Sequence, residues 1–587
     1  MCGIFFVINK NKNSLDLAAC NRGLLKLSKR GPDLLVSNIV ENHIFIGQTI
    51  LSITGELNPK SQSITQSKSG RFLLSYNGEI YNYKELSNQW LRGGKSYSNL
   101  SGDTRVLADL HDELKTEEIP TLLDGMFAYC VFDRLSNKVS IARDLQGEKS
   151  AFVYEDNELI IVSSEIQSIL ATVPSMGIDE QALRDYFLTR HFMQGTKTVY
   201  KNIRQIQPGT FEQLDTRTFQ WQSVKRQSIN DLIDPDRFEE NSRKSLDYLT
   251  DELDYLISKC VDEMLPDRRF AAVISGGVDS SLLAHYLIKQ GNPDLLIAVN
   301  HVGKDYISSN LTGFENVLKR SIDVISVDAE KYSSEIINCQ RVCGSPLPSH
   351  SFIAQSIQSE YVQKKGCKVL FGGEGGDEVF GGYDAYSKDY LLKEYSPSPY
   401  MNILDPEISF ISNHFQSFKK EIANVWNEAL NAYNFVENID DRIKLAMMHA
   451  DMAYQMANVG LRSADLMSMM HSVETRTIFI RKPLIKFALN LPLFAKVNPL
   501  AENRLKTKVL LKRLFLRHYP NELLYEKQGF AGFPNESGLK LGDISQYVTF
   551  NRIGIKMLRK TESNLSKSLL WKLANVEYFL RFKTGDS

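Results

Sequence analysis

The sequence predicts a two-domain protein of mixed α/β and α+β class, with antiparallel sheets first and a doubly wound parallel sheet with a helical tail after them. Three observations carry this expectation. The chain up to Asp215 is crowded with short β-type runs separated by Gly, Asn, Asp and Ser, the pattern of hairpins and meanders. From Leu246 onward, continuous apolar runs alternate with helix-period segments, as strands buried on both faces of a parallel sheet require. Between them, residues 216–245 turn polar and lose periodicity, which reads as a connection. The expected division is therefore 2–215, a linker 216–245, and 246–587.

In the first part the expected strands are 4–8, 43–53, 72–76, 126–132, 139–142 and 159–162. In the second, residues 249–264 have helical spacing, 270–274 form an apolar strand, and 280–290 form a helix stopped by Gly291. Two more buried strands follow at 295–299 and 368–371, and the chain from residue 402 reads mostly helical. The 587 residues suit two to four domains at roughly 100–200 residues each. With 69 Lys+Arg against 70 Asp+Glu, the formal net charge is −1, which argues against nucleic-acid binding by bulk charge. Hydrophobic residues make up 43% and charged residues 24%, the profile of a globular protein with large cores. No apolar run reaches the roughly 20 residues of a membrane helix, and the short apolar start lacks a basic leader. Seven cysteines without metal-type spacing signal neither zinc nor a disulfide scaffold. A cytoplasmic protein with no membrane or nucleic-acid partner is expected.

Met1-Cys2-Gly3-Ile4 opens the chain. Removal of the initiator Met would leave Cys2 with a free α-amino group of pKa about 8 beside its thiol, so nucleophile and base would share one residue. A small buried residue starting a strand also fits this segment alone. Arg30-Gly31-Pro32-Asp33 places a guanidinium at a turn, suited to gripping a carboxylate through paired hydrogen bonds. Asn77-Gly78-Glu79-Ile80-Tyr81-Asn82 follows a strand and supplies an amide donor, a backbone N–H and a carboxylate, and Ser101-Gly102-Asp103 adds a second acid. Together these segments resemble the glutaminase domain of class II glutamine amidotransferases. The resemblance implies an αββα N-terminal-nucleophile (Ntn) hydrolase sandwich that frees ammonia from glutamine. It makes Cys2 the nucleophile, Arg30 the holder of glutamine's carboxylate, Asn77 and Gly78 the oxyanion hole, and Glu79 and Asp103 the binders of its amino group.

Ser275-Gly276-Gly277-Val278-Asp279-Ser280-Ser281 lies between an apolar strand and a helix. Its glycines admit an anion close to the backbone, its hydroxyls donate, and Asp279 can hold Mg²⁺. The Walker lysine is absent. The segment resembles the PP-loop of ATP pyrophosphatases, which implies ATP binding by Ser275, Gly276, Gly277, Asp279 and Ser280. A second loop, Gly372-Gly373-Glu374-Gly375-Gly376-Asp377-Glu378, carries more glycine and acid than packing alone explains. It resembles the synthetase signature of asparagine synthetases. On that match Gly373 contacts ATP, Asp377 is a second Mg²⁺ ligand, and Glu374 is the acid near acceptor or ammonia. Asp465-Leu466-Met467-Ser468-Met469 with Glu474-Thr475-Arg476, Lys508-Val509-Leu510-Leu511-Lys512, and Lys527-Gln528-Gly529-Phe530 resemble further stretches of that family. Lys508 is thereby implied to meet charge on the phosphates.

The implied enzyme couples glutamine hydrolysis to ATP-driven amidation of a carboxylate through an acyl-adenylate, with ATP and Mg²⁺ as cofactors and a homodimer expected by resemblance. Aspartate is the first acceptor. Ile478, Arg481 and Gly372 stand where the family has Pro, Asp and Ser, so a uronic acid, a sugar nucleotide or a natural-product intermediate is the alternative. An internal amide-forming cyclase would not need Cys2, Arg30 and the NGE segment intact, and an inactive homologue should have lost the acids of one glycine loop or the other.

Overall fold

The computed structural model describes residues 2–54, 63–91, 102–173, 175–189, 196–301, 306–388, 415–525 and 567–582. In the first unit the strands are β1 (Cys2–Asn9), β2 (Leu34–Val40), β3 (Ile44–Ile50), β4 (Thr65–Gln66), β5 (Phe72–Ile80), β6 (Gly125–Asp133), β7 (Lys138–Arg143), β8 (Phe152–Glu155), β9 (Leu159–Ser163), β10 (Ile203–Gln205), β11 (Thr210–Asp215) and β12 (Gln220–Arg226). They form two six-stranded antiparallel sheets, ordered β10-β8-β9-β1-β3-β2 and β12-β11-β7-β6-β5-β4.

Alternation along β1 explains how the sheets stack. Ile4, Phe6 and Ile8 face inward and share a core with Ala128, Phe132 and Ile141 of the second sheet. Phe5 and Val7 face outward onto Cys20 and Leu24 of helix Leu17–Lys26 and Ile169 of helix Ile166–Thr172. On the far side, Phe72, Leu74 and Tyr76 pack against Val106 and Leu110 of helix Asp103–Glu113. Each such side chain contributes about 1.5–3 kcal/mol when fully buried. The result is the helix–sheet–sheet–helix sandwich that the resemblance implied.

Two expectations change here. β5 runs on through Ile80, so Asn77, Gly78 and Glu79 lie inside a strand rather than after it, opposite Ala128, Phe127 and Met126. Residues 216–245 are also not a structureless connection. β12 extends the second sheet by pairing with β11, and Trp221 Nε1 donates to Glu155 at 2.8 Å. An edge strand needs only one apolar side, which is why this stretch reads as polar. Helix Pro235–Ser242 follows, capped by Asp234, and Asn241 Nδ2 donates to the Asn490 carbonyl of the second unit at 2.9 Å.

The second unit is built on β13 (Phe270–Val273), β14 (Leu295–His301), β15 (Asp323–Val327), β16 (Val369–Gly372) and β17 (Glu474–Thr477), all parallel in the order β15-β14-β13-β16-β17. Strand order reverses between β13 and β16, and such a switch point opens a crevice at the carboxyl ends of the strands. Both glycine loops leave from that edge. The tail holds helices Phe415–Ala432, Ile439–Ala450 and Leu461–Met469, but it also contributes β17, which the helical expectation missed. Its sequence, Glu-Thr-Arg-Thr, is fully buried and carries no apolar signal, because Glu474 and Arg476 pair with each other and Arg476 with Glu79 of the first unit. β15 was missed as a strand because its outer residues alternate exposed and buried. Lys527-Gln528-Gly529-Phe530 lies outside the described residues.

Candidate active sites

Cys2 starts β1, opposite Ile50 of β3, and is 8% exposed. Its backbone N donates to Asn77 Oδ1 of β5 at 3.0 Å. Burial pushes the thiol pKa up, opposed by hydrogen bonds from the Leu51 backbone and the Gln48 side chain. The other half of the Asn77 amide, Nδ2, is a buried donor without a partner among the described residues. A donor left open beside a nucleophile fits an oxyanion, since burying it unused costs about 1–3 kcal/mol. Gly78 is required sterically: a Cβ there would lie 2.1 Å from the Met126 carbonyl oxygen.

Glu79 is buried in the same strand, within 3.3 Å of Thr54 Oγ1 and 3.4 Å of Arg476 Nη2. Burial, with Asp103 nearby, pushes its carboxyl up to about 8 despite Arg476. Asp103 opens helix Asp103–Glu113 and accepts from Tyr76 OH at 2.6 Å, Ile80 N at 3.1 Å and Thr104 N at 2.7 Å. Burial raises its pKa against those three donors. Two buried carboxyls that gain from a cation are a fitting receptor for an ammonium group.

Arg30 is placed differently from the expectation. It is fully buried, and its Nε donates to the Cys2 carbonyl at 3.1 Å, Nη1 to Glu165 at 3.2 Å and Nη2 to Asp465 at 2.8 Å. A guanidinium sealed among the chain's own acceptors presents no open fork to a substrate carboxylate, so its place is as a brace behind the nucleophile. Arg476, Glu474 and Asp465, which sequence reading assigned only to the second unit, all reach this region: Arg476 Nε binds Glu474 at 2.7 Å while its Nη2 approaches Glu79. Their acid–base spacing was visible in the sequence, but their partners in the first unit are hundreds of residues away.

At the second site, the segment after β13 turns through Gly276 (φ +79°) into helix Val278–Gln290. Ser280 Oγ accepts from Ser275 N at 3.0 Å, so these hydroxyls also hold the loop itself. Gly277 caps the helix without a side chain, leaving its first N–H groups facing the crevice, where an anion would satisfy them. The loop after β16 touches this one: a Cβ on Gly376 would meet Asp279 Cγ at 2.6 Å, and one on Gly373 would meet Ser280 N at 3.4 Å. Lys508 joins the loops, bonding Asp279 Oδ2 and binding Asp377 Oδ1 at 2.6 Å. Burial opposes its charge, yet the two acids raise its pKa above the usual lysine range. Lys508 holds φ +52°, and its N–H donates to the Gly381 carbonyl at 3.1 Å. The convergent pair of carboxylates is the donor set Mg²⁺ takes together with phosphate oxygens. Glu374 folds back over the end of β16, where a Cβ on Gly372 would lie 2.0 Å from its Oε2. That oxygen is buried without a partner among the described residues, and burial raises the carboxyl's pKa.

Of the departures noted above, Arg481 lies in the seam between the units. It binds Asp124 at 2.6 Å and Glu263 at 2.7 Å and sits 4.4 Å over the Tyr81 ring. Ile478 is fully buried in the core beside the crevice. Arg481 also lines an inter-unit cleft with Asp124, Glu148 and Lys482. No helix among the described residues is long and apolar enough to cross a membrane.

A family model described as a glutamine amidotransferase domain matches residues 1–225, and one described as asparagine synthase matches residues 252–549. The chain is 23% identical to asparagine synthetase [glutamine-hydrolyzing] 3 of Bacillus subtilis (strain 168), covering 90% of this chain and 86% of that protein. It is 25% identical to asparagine synthetase [glutamine-hydrolyzing] 1 of the same organism, covering 91% and 87%. Amidase chry2 of Gibberella zeae is 24% identical, covering 83% of this chain and 79% of that protein.

Proposed function

Because the chain belongs to the asparagine synthase family and is a glutamine-dependent carbon–nitrogen ligase, we propose that it converts aspartate to asparagine, with glutamate, AMP and pyrophosphate as the other products. The observation that carries the two-site reading is Lys508 bridging Asp279 and Asp377, which brings both glycine loops to one crevice. The choice of aspartate rests on similarity to asparagine synthetases along about nine-tenths of the chain.

At the first site the Cys2 amino group takes the thiol proton and the sulfur attacks the carboxamide carbon of glutamine. Asn77 Nδ2 and the Gly78 N–H meet the developing oxyanion, while Glu79 and Asp103 hold the substrate ammonium. The C–N bond breaks, the proton leaves with ammonia, and water hydrolyses the thioester to glutamate. At the second site the acceptor carboxylate attacks the α-phosphorus of ATP and expels pyrophosphate. Ammonia then displaces AMP from the acyl carbon. The residues that would hold Mg²⁺ are Asp279 and Asp377; when bound, the ion neutralises phosphate charge. Lys508 faces the same phosphates, and the helix start at Gly277 receives the leaving pyrophosphate. Glu374, whose carboxyl pKa burial pushes up, takes part in proton transfer at the acceptor. Ammonia requires a route sheltered from bulk water, where it is largely protonated.

A different carboxylate is the second reading. It is favoured by Gly372, which leaves room for Glu374 to fold over the strand end where a side chain would collide. Arg481 gives that reading no support, being consumed by Asp124 and Glu263. Purified protein incubated with glutamine, Mg·ATP and a panel of carboxylates, with pyrophosphate release followed, separates the two. Asparagine formed with aspartate supports the first reading. Release confined to a uronic acid or a sugar nucleotide replaces it with the second.

A further inference from the structure

Asp465 gathers contacts from across the seam. It lies on helix Leu461–Met469 of the second unit with its side chain wholly buried. Arg30 Nη2 reaches it at 2.8 Å, Lys149 Nζ lies at 3.6 Å, and Ser150 N donates at 3.4 Å, all from the first unit. Arg30 then spans to the Cys2 carbonyl, 3.1 Å from its Nε, and to Glu165, 3.2 Å from its Nη1. One guanidinium therefore stands between a carboxylate of one unit and the backbone of the candidate nucleophile of the other. Arg30 and Lys149 balance Asp465 and Glu165 in a buried, electrically neutral set, and removing one member leaves uncompensated charge. Burial works against ionisation of Asp465, yet its two cations hold its carboxyl below the usual range.

We propose that Asp465 is a positioning residue for glutamine hydrolysis: it fixes Arg30, and Arg30 fixes the carbonyl of Cys2, so the second unit sets the aim of the first unit's nucleophile. This rests on the reading of Cys2 given above. Asp465 touches no substrate, so its effect falls on turnover rather than on affinity. A nucleophile displaced by about 1 Å loses roughly 100-fold in rate.

The test uses the full chain and measures two reactions: glutamine hydrolysis without ATP or acceptor, and ammonia-dependent pyrophosphate release. For Asp465→Asn the expected result is a loss of about 10- to 100-fold in kcat for glutamine, with KM within about twofold and ammonia-dependent release at the level of the unaltered protein. Arg30→Lys keeps the charge but lacks the Nε that holds Cys2, and should reproduce that loss. The double variant should be no worse than the more severe single one, because the two residues act in series, and Asp465→Glu should restore part of the rate. Glutamine hydrolysis by Asp465→Asn within about twofold of the unaltered protein overturns the proposal, as do equal losses in both reactions or additive losses in the double variant. A chain that hydrolyses glutamine but makes no amide defeats the acceptor assignment alone and leaves this test standing.

Discussion

Each site uses a pair of carboxyls, buried in the first and partly exposed in the second, in opposite electrostatic settings. Glu79 and Asp103 lie inside the sandwich with burial as the dominant influence, and their pKa values rise. Asp279 and Asp377 sit at the open edge of the parallel sheet, where a single amine binds both. On the proposed reading the first pair takes a further positive group from the substrate, beside Arg476 3.4 Å from Glu79. The second pair already holds one, and would release it to whatever carries more charge. The frameworks differ in kind as well: adjacent strands fix the first centre, while glycine loops meeting at a switch point form the second.

The largest test of this contrast is to remove one chemical group from each side. Cys2→Ala should lower glutamine-dependent amide formation by about 10⁴-fold or more and leave the ammonia-dependent reaction intact. Lys508→Ala should lower both by about 10³-fold, as pyrophosphate release will report. If Cys2→Ala still turns over glutamine, the division of labour fails. Next comes Asn77→Ala, which removes the open donor beside the thiol. Glutamine hydrolysis should fall about 10²- to 10³-fold, with ammonia-dependent synthesis unchanged.

A smaller effect tests the electrostatics alone. With Glu79 raised from its ordinary value to about 8, the native state holds more protons there than the unfolded chain at intermediate pH. Its contribution to stability therefore falls as pH rises through that window and is lowest above about 8. Glu79→Gln, a neutral mimic of the protonated acid, should leave the melting temperature at pH 5 unchanged and raise it by roughly 2 °C or more at pH 8.5. A flat difference across that range would place the carboxyl in a solvated setting like that of an ordinary surface acid. The smallest effect belongs to the seam's rim, where Lys368 binds Asp33 at 2.6 Å with both side chains partly exposed. Lys368→Ala should cost under about 1 kcal/mol, less at high salt, by denaturant titration.

Much of this architecture was legible in the sequence. Apolar alternation located β1, β5 and β6, and the continuous run before the first glycine loop located β13. The two glycine loops proved to meet at one crevice, and Cys2, Asn77 and Glu79 proved to be neighbours. What stayed hidden shares a physical cause. β17, the contacts of Arg30 and the reach of Arg476 all involve buried charges with partners in the other unit, and hydropathy patterns carry no trace of such pairing. β12 was hidden because an edge strand shows only half a pattern.

The charge-matched seam bears on how such chains can be recombined. Arg30 with Asp465, Glu79 with Arg476, and Asp124 with Arg481 each divide a buried ion pair between the units. Grafting a foreign amidotransferase module onto this synthetase half would strand Asp465, whose cations Arg30 and Lys149 both belong to the first unit, while Arg476 and Arg481 would keep Glu474 and Glu263; a buried charge left alone costs about 3–5 kcal/mol. Chimeras should therefore succeed only where those pairs travel together, so the natural unit of exchange is the matched set of faces rather than either fold.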